Sequence, residues 1–126
     1  MTAPEHFQIS EGYAAFRPTG EVTLPQGVAL VTAAIKFSRE QKISRLLIDI
    51  TRVTGFQPPD LVARYDMAKD WAEAGQSAVK VVMVAPARLI DPQRFGMVVA
   101  RNRGLDANIF ASEDEALRWL LDAPAK

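Results

Sequence analysis

The spacing of hydrophobic residues changes several times along this chain, and each spacing predicts a different element. Phe7 and Ile9 alternate with polar neighbours, and residues 13–16 read as a second strand after a Glu-Gly turn. Alternation on both sides of a short turn is typical of an antiparallel hairpin. Pro18-Thr19-Gly20 is a strand-breaking sequence, so we expect the hairpin to end there.

A helix follows, and three residues mark its start. Thr23 is a good N-cap, Pro25 suits the first turn, and Gln26 occupies the far position of a capping box. Apolar residues then recur at helical spacing, with charged residues at the other positions. The predicted buried face consists of Leu24, Val28, Val31 and Ile35.

Two unbroken apolar runs predict strands that are covered on both faces. They are residues 45–50, with Leu46, Leu47 and Ile48 in succession, and residues 79–84. Continuous runs of this kind are typical of parallel strands lying between layers of helices. A shorter strand is predicted at residues 108–111.

Two predicted helices flank the second of these runs. The first begins at Pro59 and ends at Gly75, where glycine suits a C-terminal stop. The second has Asp91 as its N-cap and Pro92 at its first helical position, and Gly104 ends it. The predicted buried faces are Leu61, Tyr65, Ala68 and Ala72 in the first helix and Phe95, Val98 and Val99 in the second.

The last helix starts at the capping box Ser112-Glu113-Asp114-Glu115. Its predicted buried face is Ala116, Leu117, Leu120 and Leu121. The complete order is β-β-α-β-α-β-α-β-α, which predicts an α/β fold with a mixed, mostly parallel sheet flanked by helices. The crossovers should be right-handed, and the first strand should be the antiparallel one.

Composition narrows the classes of function. The chain has 126 residues, which suits a single domain over residues 1–126, and its formal net charge is zero. A neutral chain has no overall field to attract nucleic acid or an anionic membrane. There are no cysteines, which excludes disulfides and thiolate metal sites. The first ten residues lack the pattern of a secretory signal and no apolar run could span a membrane, so we expect a cytoplasmic protein.

The ends of the two buried strands are the predicted place for a site, because ligands of open α/β sheets bind outside the carboxyl ends of strands. Residues 51–58 and 85–90 form loops at these ends, and we expect the loops to face one another. The candidate binding residues are Asp49, Thr51, Arg52, Thr54, Arg88 and Asp91. Either threonine would accept a phosphate or donate to a ligand, with Asp49 orienting it. The alternative is that Asp49 and Thr51 only satisfy N–H groups of their own loop.

Four arginines surround the third predicted helix, at positions 88, 94, 101 and 103. Arg94 and Arg101 are two turns apart and share a helix face, where they would contact a phosphate or an acidic partner through paired hydrogen bonds. The alternative is a solvated face whose arginines pair with acids of a neighbouring helix, such as Asp70 or Glu73.

Sets of residues for catalysis or metal binding are not evident. His6 is the only histidine, so neither a Ser-His-Asp arrangement nor a histidine metal cluster is supported. Asp66 and Asp70 are one turn apart, but a cation needs further ligands from elsewhere. No Walker-type loop or GxGxxG pattern is present. We therefore expect a protein that is not an enzyme and has no cofactor and no metal.

Four stretches carry a resemblance to a known family: Gly20-Glu21-Val22-Thr23, LLIDITRVTGF, LIDPQRFGMVVARNRGL and IFASEDEALRWLL. Between residues 20 and 121 the sequence resembles the SpoIIAA-like, or STAS-like, family of short bacterial proteins. The resemblance implies a mixed sheet with flanking helices, in agreement with the element order. It also implies a fold-level kinship with lipid-binding CRAL-TRIO domains.

The resemblance bears on the loop after the third strand. In STAS-type anti-sigma factor antagonists, a serine near the start of the following helix is phosphorylated by a partner kinase, and the added charge changes partner binding. Asp49-Ile50-Thr51 resembles the Asp-x-Ser start of that motif. Pro58-Pro59 stands where the acceptor serine and a glycine-rich turn are expected. Thr54 is the nearest substitute for the serine.

Three classes of function follow from these observations. The leading hypothesis is a non-enzymatic STAS-like regulatory or binding module for a protein partner or a small anionic ligand. The alternative is a carrier of a lipid-like or hydrophobic molecule, with a pocket under the second or third helix. That pocket would be lined by Phe56, Tyr65, Phe95 and Met97. An enzyme using Asp49, Asp91 or His6 is the third class. We also predict a homodimer, formed through the hairpin or a sheet edge.

Overall fold

The computed structural model describes residues 3–122, and the chain forms seven strands and four helices in this range. The strands are β1 Phe7–Ser10, β2 Tyr13–Phe16, β3 Gly20–Glu21, β4 Arg45–Asp49, β5 Val53–Thr54, β6 Lys80–Val84 and β7 Ala107–Phe110. The helices are α1 Leu24–Glu40, α2 Leu61–Gly75, α3 Phe95–Asn102 and α4 Glu113–Asp122. This is the predicted α/β fold with a mixed, mostly parallel sheet.

The main sheet has five strands in the order β1-β2-β4-β6-β7. β1 and β2 are antiparallel, whereas β2, β4, β6 and β7 run parallel to one another. The prediction that the first strand is antiparallel is therefore confirmed. Each parallel strand is reached through a helix, and the carboxyl ends of the strands meet at one edge of the sheet, as βαβ units require.

Alternation along the strands divides the interior into two cores. Leu46 and Ile48 point to the face that α1, α2 and α3 cover, where the larger core lies. Leu47 and Val82 point to the opposite face, where α4 contributes Leu120. A central strand of this kind carries apolar residues at every position because both of its faces are covered.

The start of α1 forms as the sequence predicts. The Gln26 N–H donates to the Thr23 hydroxyl at 3.2 Å, and the Thr23 N–H donates to the Gln26 side-chain oxygen at 2.9 Å. Two N–H groups at the helix end are thereby satisfied by local contacts. Val31 and Ile35 are buried, and Val28 packs at the margin of the larger core.

The predicted start of α2 is wrong, and its predicted buried face is correct only at Ala68 and Ala72. The helix begins at Leu61 rather than Pro59, because the Asp60 carboxylate accepts a hydrogen bond from the Ala63 N–H at 2.8 Å and caps it. The buried face is formed by Ala68, Trp71, Ala72 and Gly75, with Trp71 filling the space beside α1. Leu61 and Tyr65, in the first two turns, were predicted to be buried and are instead 60% and 39% exposed.

The start of α3 is also later than predicted. Residues 91–94 form a turn, closed by the Arg94 N–H and the Asp91 carbonyl at 2.9 Å, and the helix begins at Phe95 instead of Pro92. Asp91 still satisfies the helix end, since its carboxylate accepts from the Phe95 N–H at 2.8 Å. The buried residues are Met97 and Ala100, and Val98 is exposed, so the predicted face is rotated by about one position.

α4 begins with local contacts at Ser112. The Ser112 hydroxyl accepts from the Glu115 N–H at 3.3 Å and lies 3.2 Å from the Glu115 carboxylate, to which it donates. Ala116 and Leu120 are buried and Leu117 is partly buried, as predicted. Leu121 is exposed, because a single helix on this face buries only a narrow stripe.

A second sheet, of two short strands, is absent from the predicted element order. β3 and β5 pair in parallel, and the Val22 N–H donates to the Thr54 carbonyl at 2.8 Å. Gly55 has a φ of +100°, and a Cβ there would lie 2.7 Å from the Val22 carbonyl oxygen, so only glycine fits this close approach. The first half of the 51–58 loop is thus attached to the segment before α1.

No helix within residues 3–122 is long and apolar enough to cross a lipid bilayer.

Candidate functional site

The two predicted loops line the same space, an apolar cavity of about 90 Å³ at the carboxyl edge of the sheet. The cavity lies on the α1–α3 face and is open to solvent on one side. Val53 and Phe56 come from the first loop, and Ala85 and Leu89 come from the end of β6 and the turn after it. The prediction that the loops face one another is therefore confirmed.

Small residues create the space. Gly27 of α1, Ala68 of α2, Ala85 after β6 and Gly96 of α3 all line the cavity, and each leaves room that a larger side chain would fill. At Gly96 an added Cβ would lie in ordinary van der Waals contact, 3.8 Å from the Arg64 carbonyl oxygen, so this glycine leaves space without relieving a clash. The cavity thus forms because these elements converge but their glycine and alanine side chains are too small to fill the space between them.

Arg64 is the charged residue of the cavity wall in the described part of the chain. Its Nε donates to the Pro59 carbonyl at 3.0 Å and its Nη1 donates to the Leu89 carbonyl at 3.3 Å. These contacts connect the two loops and hold the guanidinium in one position. Because a guanidinium has five N–H donors, the Nη2 group and one Nη1 hydrogen remain for a further acceptor.

Asp49 and Thr51 lie on the other face of the sheet. The Asp49 carboxylate accepts from the Thr51 N–H at 2.8 Å and from the Thr51 hydroxyl at 2.6 Å. Asp49 is 5% exposed, whereas Thr51 is exposed. This geometry is the local one that the alternative interpretation describes, with the side chain satisfying its own loop.

Asp49 and Thr51 lie beside two further residues, Arg17 and Glu113, which the sequence analysis did not assign to a site. Arg17, directly after β2, donates from Nε and Nη2 to the Glu113 carboxylate of α4 at 2.9 and 3.0 Å. We call Arg17, Asp49, Thr51 and Glu113 the carboxyl cluster. The available signal was alternation: Ala15 and Leu47 face α4, so the next residues on that face are Arg17 and Asp49.

The pKa values of the two acids in the carboxyl cluster are shifted in opposite directions. Burial raises the pKa of Asp49 above its ordinary value, and its hydrogen bond with Glu113 acts in the same direction. The hydrogen bonds from Arg17, and then that from Asp49, lower the pKa of Glu113 from 4.5 to about 2. Arg17 thus favours the charged form of Glu113, whereas burial disfavours the charged form of Asp49.

The remaining candidates of the first loop are exposed. The Arg52 carbonyl accepts from the Gly20 N–H, and the Thr54 carbonyl accepts from the Val22 N–H, so both residues belong to the small sheet through their backbone. The side-chain charge of Arg52 contributes to the lowered pKa of Glu113. The predicted binding roles of Arg52 and Thr54 stay predictions.

The candidates around α3 have separate environments. Arg88 is exposed in the 3-10 turn Ala87–Leu89, and Asp91 caps α3. Arg94 and Arg101 share a side of α3, as predicted, and donate to the backbone carbonyls of Ile109 at 3.2 Å and Ala107 at 2.9 Å. These partners on β7 are carbonyls and not the acids of α2. Arg103 donates to the Tyr65 hydroxyl and lies over its ring.

The predicted lining of a hydrophobic pocket is half correct. Phe56 and Met97 line the apolar cavity, whereas Tyr65 and Phe95 do not. Tyr65 is directed toward Arg103 because the face of α2 is set by Trp71. Phe95 stands at the first position of α3, where it is only partly buried.

Within residues 3–122, no group of three His, Cys, Asp or Glu side chains is arranged to hold a metal ion. No protein-family model matches this sequence, and no curated protein matches it. The similarity to STAS-like proteins therefore depends on the four stretches quoted above and stays a prediction.

Proposed function

We propose that this chain is a cytoplasmic, non-catalytic STAS-like binding module whose ligand is a small anionic amphiphile. The apolar part of the ligand occupies the cavity, and its anionic group binds Arg64. The apolar cavity between the two loops carries the proposal, because it lies where open α/β sheets bind ligands and has the fixed guanidinium of Arg64 in its wall.

The volume of the cavity limits the ligand. An engineered cavity of about 150 Å³ in another protein is enough for benzene. A cavity of about 90 Å³ accommodates a smaller apolar group, such as a branched alkyl or a short chain, with the remainder of the ligand at the open side. Long acyl chains exceed this space, so the proposal is narrower than a general lipid carrier.

The charge of the ligand follows from Arg64. Its guanidinium is already oriented by two backbone carbonyls, so little side-chain freedom is lost when a carboxylate or phosphate binds the remaining N–H groups. A charge-assisted hydrogen bond of this kind also fixes the orientation of the ligand. The other walls of the cavity are apolar, so they contribute to the affinity for the ligand but do not fix its orientation.

A chain-length series tests the proposal. Isothermal titration calorimetry would compare carboxylates and alcohols with two to eight carbons, and native mass spectrometry of the purified protein would look for a retained ligand. Each methylene that enters the cavity contributes about 0.8 kcal/mol, so affinity should rise roughly fourfold per carbon until the cavity is full. Absence of binding by the whole series and of any retained ligand would overturn the proposal.

Three variants separate the two parts of the site. Ala68→Leu should fill the cavity and remove binding, whereas Ala78→Leu, at an exposed position between α2 and β6, should leave it unchanged. Arg64→Gln should remove the preference for carboxylates over alcohols and keep the dependence on chain length. Equal binding by Ala68→Leu and wild type would show that the ligand occupies another place.

A protein partner is the second candidate, and the exposed start of α2 favours it. Leu61 and Val62 lie directly after the first loop, and Val62 is 71% exposed. Affinity capture from native cells with wild type and a Leu61→Ser, Val62→Ser variant tests this. A partner retained by wild type and lost by the variant would support it; identical captured sets would contradict it.

A further inference from the structure

A shallow groove runs between α1 and α2 on the outside of the molecule, with a volume of about 850 Å³. Small side chains contribute to its surface: Ala29 and Ala33 from α1, and Ala63 and Ala74 from α2. Because no long apolar or branched side chain projects from these positions, another helix can approach the backbone here closely.

The two walls of this α1–α2 groove carry opposite charges. α1 contributes two basic side chains and α2 contributes three acidic ones. They are Lys36 and Arg39 on the first wall and Asp66, Asp70 and Glu73 on the second. Four of the five residues are exposed, and Arg39 is half-buried.

The walls do not neutralise each other inside one molecule. Over residues 3–122, none of the five charged side chains forms an ion pair across the groove. The helices therefore present a basic stripe beside an acidic stripe, and the surface between them includes the four alanines together with Val28 and Met67. A partner that covers this surface needs an acidic stripe opposite α1 and a basic stripe opposite α2.

We propose that the occupant of the α1–α2 groove is a second copy of this chain. A two-fold axis along the groove places α1 of each copy over α2 of the other, so both basic stripes meet acidic stripes. An identical molecule satisfies the charge requirement by symmetry, and the alanines allow the four helices to pack closely. The dimer forms through these helices rather than through the hairpin or sheet edge expected from the sequence.

Sedimentation velocity and light scattering test this with the full chain and no added ligand, so the result is independent of the cavity proposal. Wild type at about 100 µM in low salt should be a dimer, and salt should weaken it because exposed charges are screened. Lys36→Glu with Arg39→Glu should raise the dissociation constant at least about tenfold. Reversal of Asp66, Asp70 and Glu73 to lysine should do the same.

Mixing the two charge-reversed variants decides the geometry. The pair should recover a heterodimer with near wild-type affinity, since each variant now presents the stripe that the other needs. Circular dichroism establishes that both variants are folded, and Asp114→Lys on α4 serves as a control that should not affect the dimer. A monomeric wild type, a dimer insensitive to the reversals, or failure of the mixed pair to associate would each overturn the proposal.

Discussion

At the carboxyl edge of the sheet, the two faces differ in chemistry: one is mainly apolar and the other carries charged side chains. On the α1–α3 face the strands open onto the apolar cavity, with Arg64 as its fixed cation. On the α4 face they end in the carboxyl cluster, where Arg17 pairs with Glu113 and Asp49 binds Thr51. Consecutive residues of one strand, Ile48 and Asp49, belong to different faces.

Polar residues at the ends of strands usually suggest a binding site, but the polar residues at this edge of the sheet do not line the cavity. Asp49 and Thr51 are the residues that first suggest a site, yet their hydrogen bonds are local or directed to the start of α4. The cavity that we propose as the ligand site lies instead among apolar side chains, which sequence patterns assign to the core. The carboxyl cluster joins α4 to the sheet through the ion pair between Arg17 and Glu113.

The largest expected effect comes from weakening the contact between α4 and the sheet. Leu120→Ala should destabilise the protein by about 2–5 kcal/mol, because a fully buried leucine is lost from a small core that has few other residues. Denaturant unfolding would measure the change. Leu121→Ala, one position along and 40% exposed, is the matched control and should cost much less. Equal losses would show that α4 packs differently.

A smaller effect is expected where the first loop meets the segment before α1. Gly55→Ala should destabilise the fold by about 1–3 kcal/mol, since alanine meets both a left-handed backbone and the Val22 carbonyl at 2.7 Å. Gly12→Ala is the control: its φ is +85°, but no atom lies within 4 Å of the added Cβ. The difference between the two variants in thermal melting isolates the close contact, and no difference would contradict it.

The smallest effect concerns the pH dependence of the carboxyl cluster. The pKa of Glu113 is lowered to about 2, so this group stabilises the fold fully above its unfolded pKa of 4.5 and loses that contribution as pH falls toward 2. Glu113→Gln should cost about 1 kcal/mol near neutral pH, because the pair with Arg17 is one-third exposed and screened. Unfolding by urea between pH 7 and 3 should show the cost shrinking; a constant cost would contradict the assignment.

Asp49→Asn tests the opposite direction in the same cluster. The pKa of Asp49 is raised, so its contribution is complete at low pH and is lost as pH rises through the folded value. The variant should therefore become more stable relative to wild type as pH increases. Glu11→Gln, in the exposed turn of the hairpin, is a control for the general effect of removing one negative charge.

Local sequence determined which elements form, because the contacts responsible lie within a few residues of one another. Thr23 and Gln26 are three positions apart and cap α1 on their own. The apolar composition of residues 45–50 and 79–84 was enough to predict two covered strands. Each predicted boundary lies within one residue of the boundary in the structure. The element order then implied a mostly parallel sheet through general rules of connection.

Tertiary structure decided the helix faces and everything that joins distant positions. The ion pair between Arg17 and Glu113 connects residues 96 positions apart, and the pairing of β3 with β5 brings together two-residue segments with no pattern of their own. Trp71 decided which side of α2 is buried, and Gly27, Ala68, Ala85 and Gly96 left the cavity only because three helices and the sheet converge on them. Helix-capping hydrogen bonds and hydrophobic periodicity are local and can be read along the chain, whereas long-range contacts and packing depend on which surfaces meet, and only the folded molecule settles that.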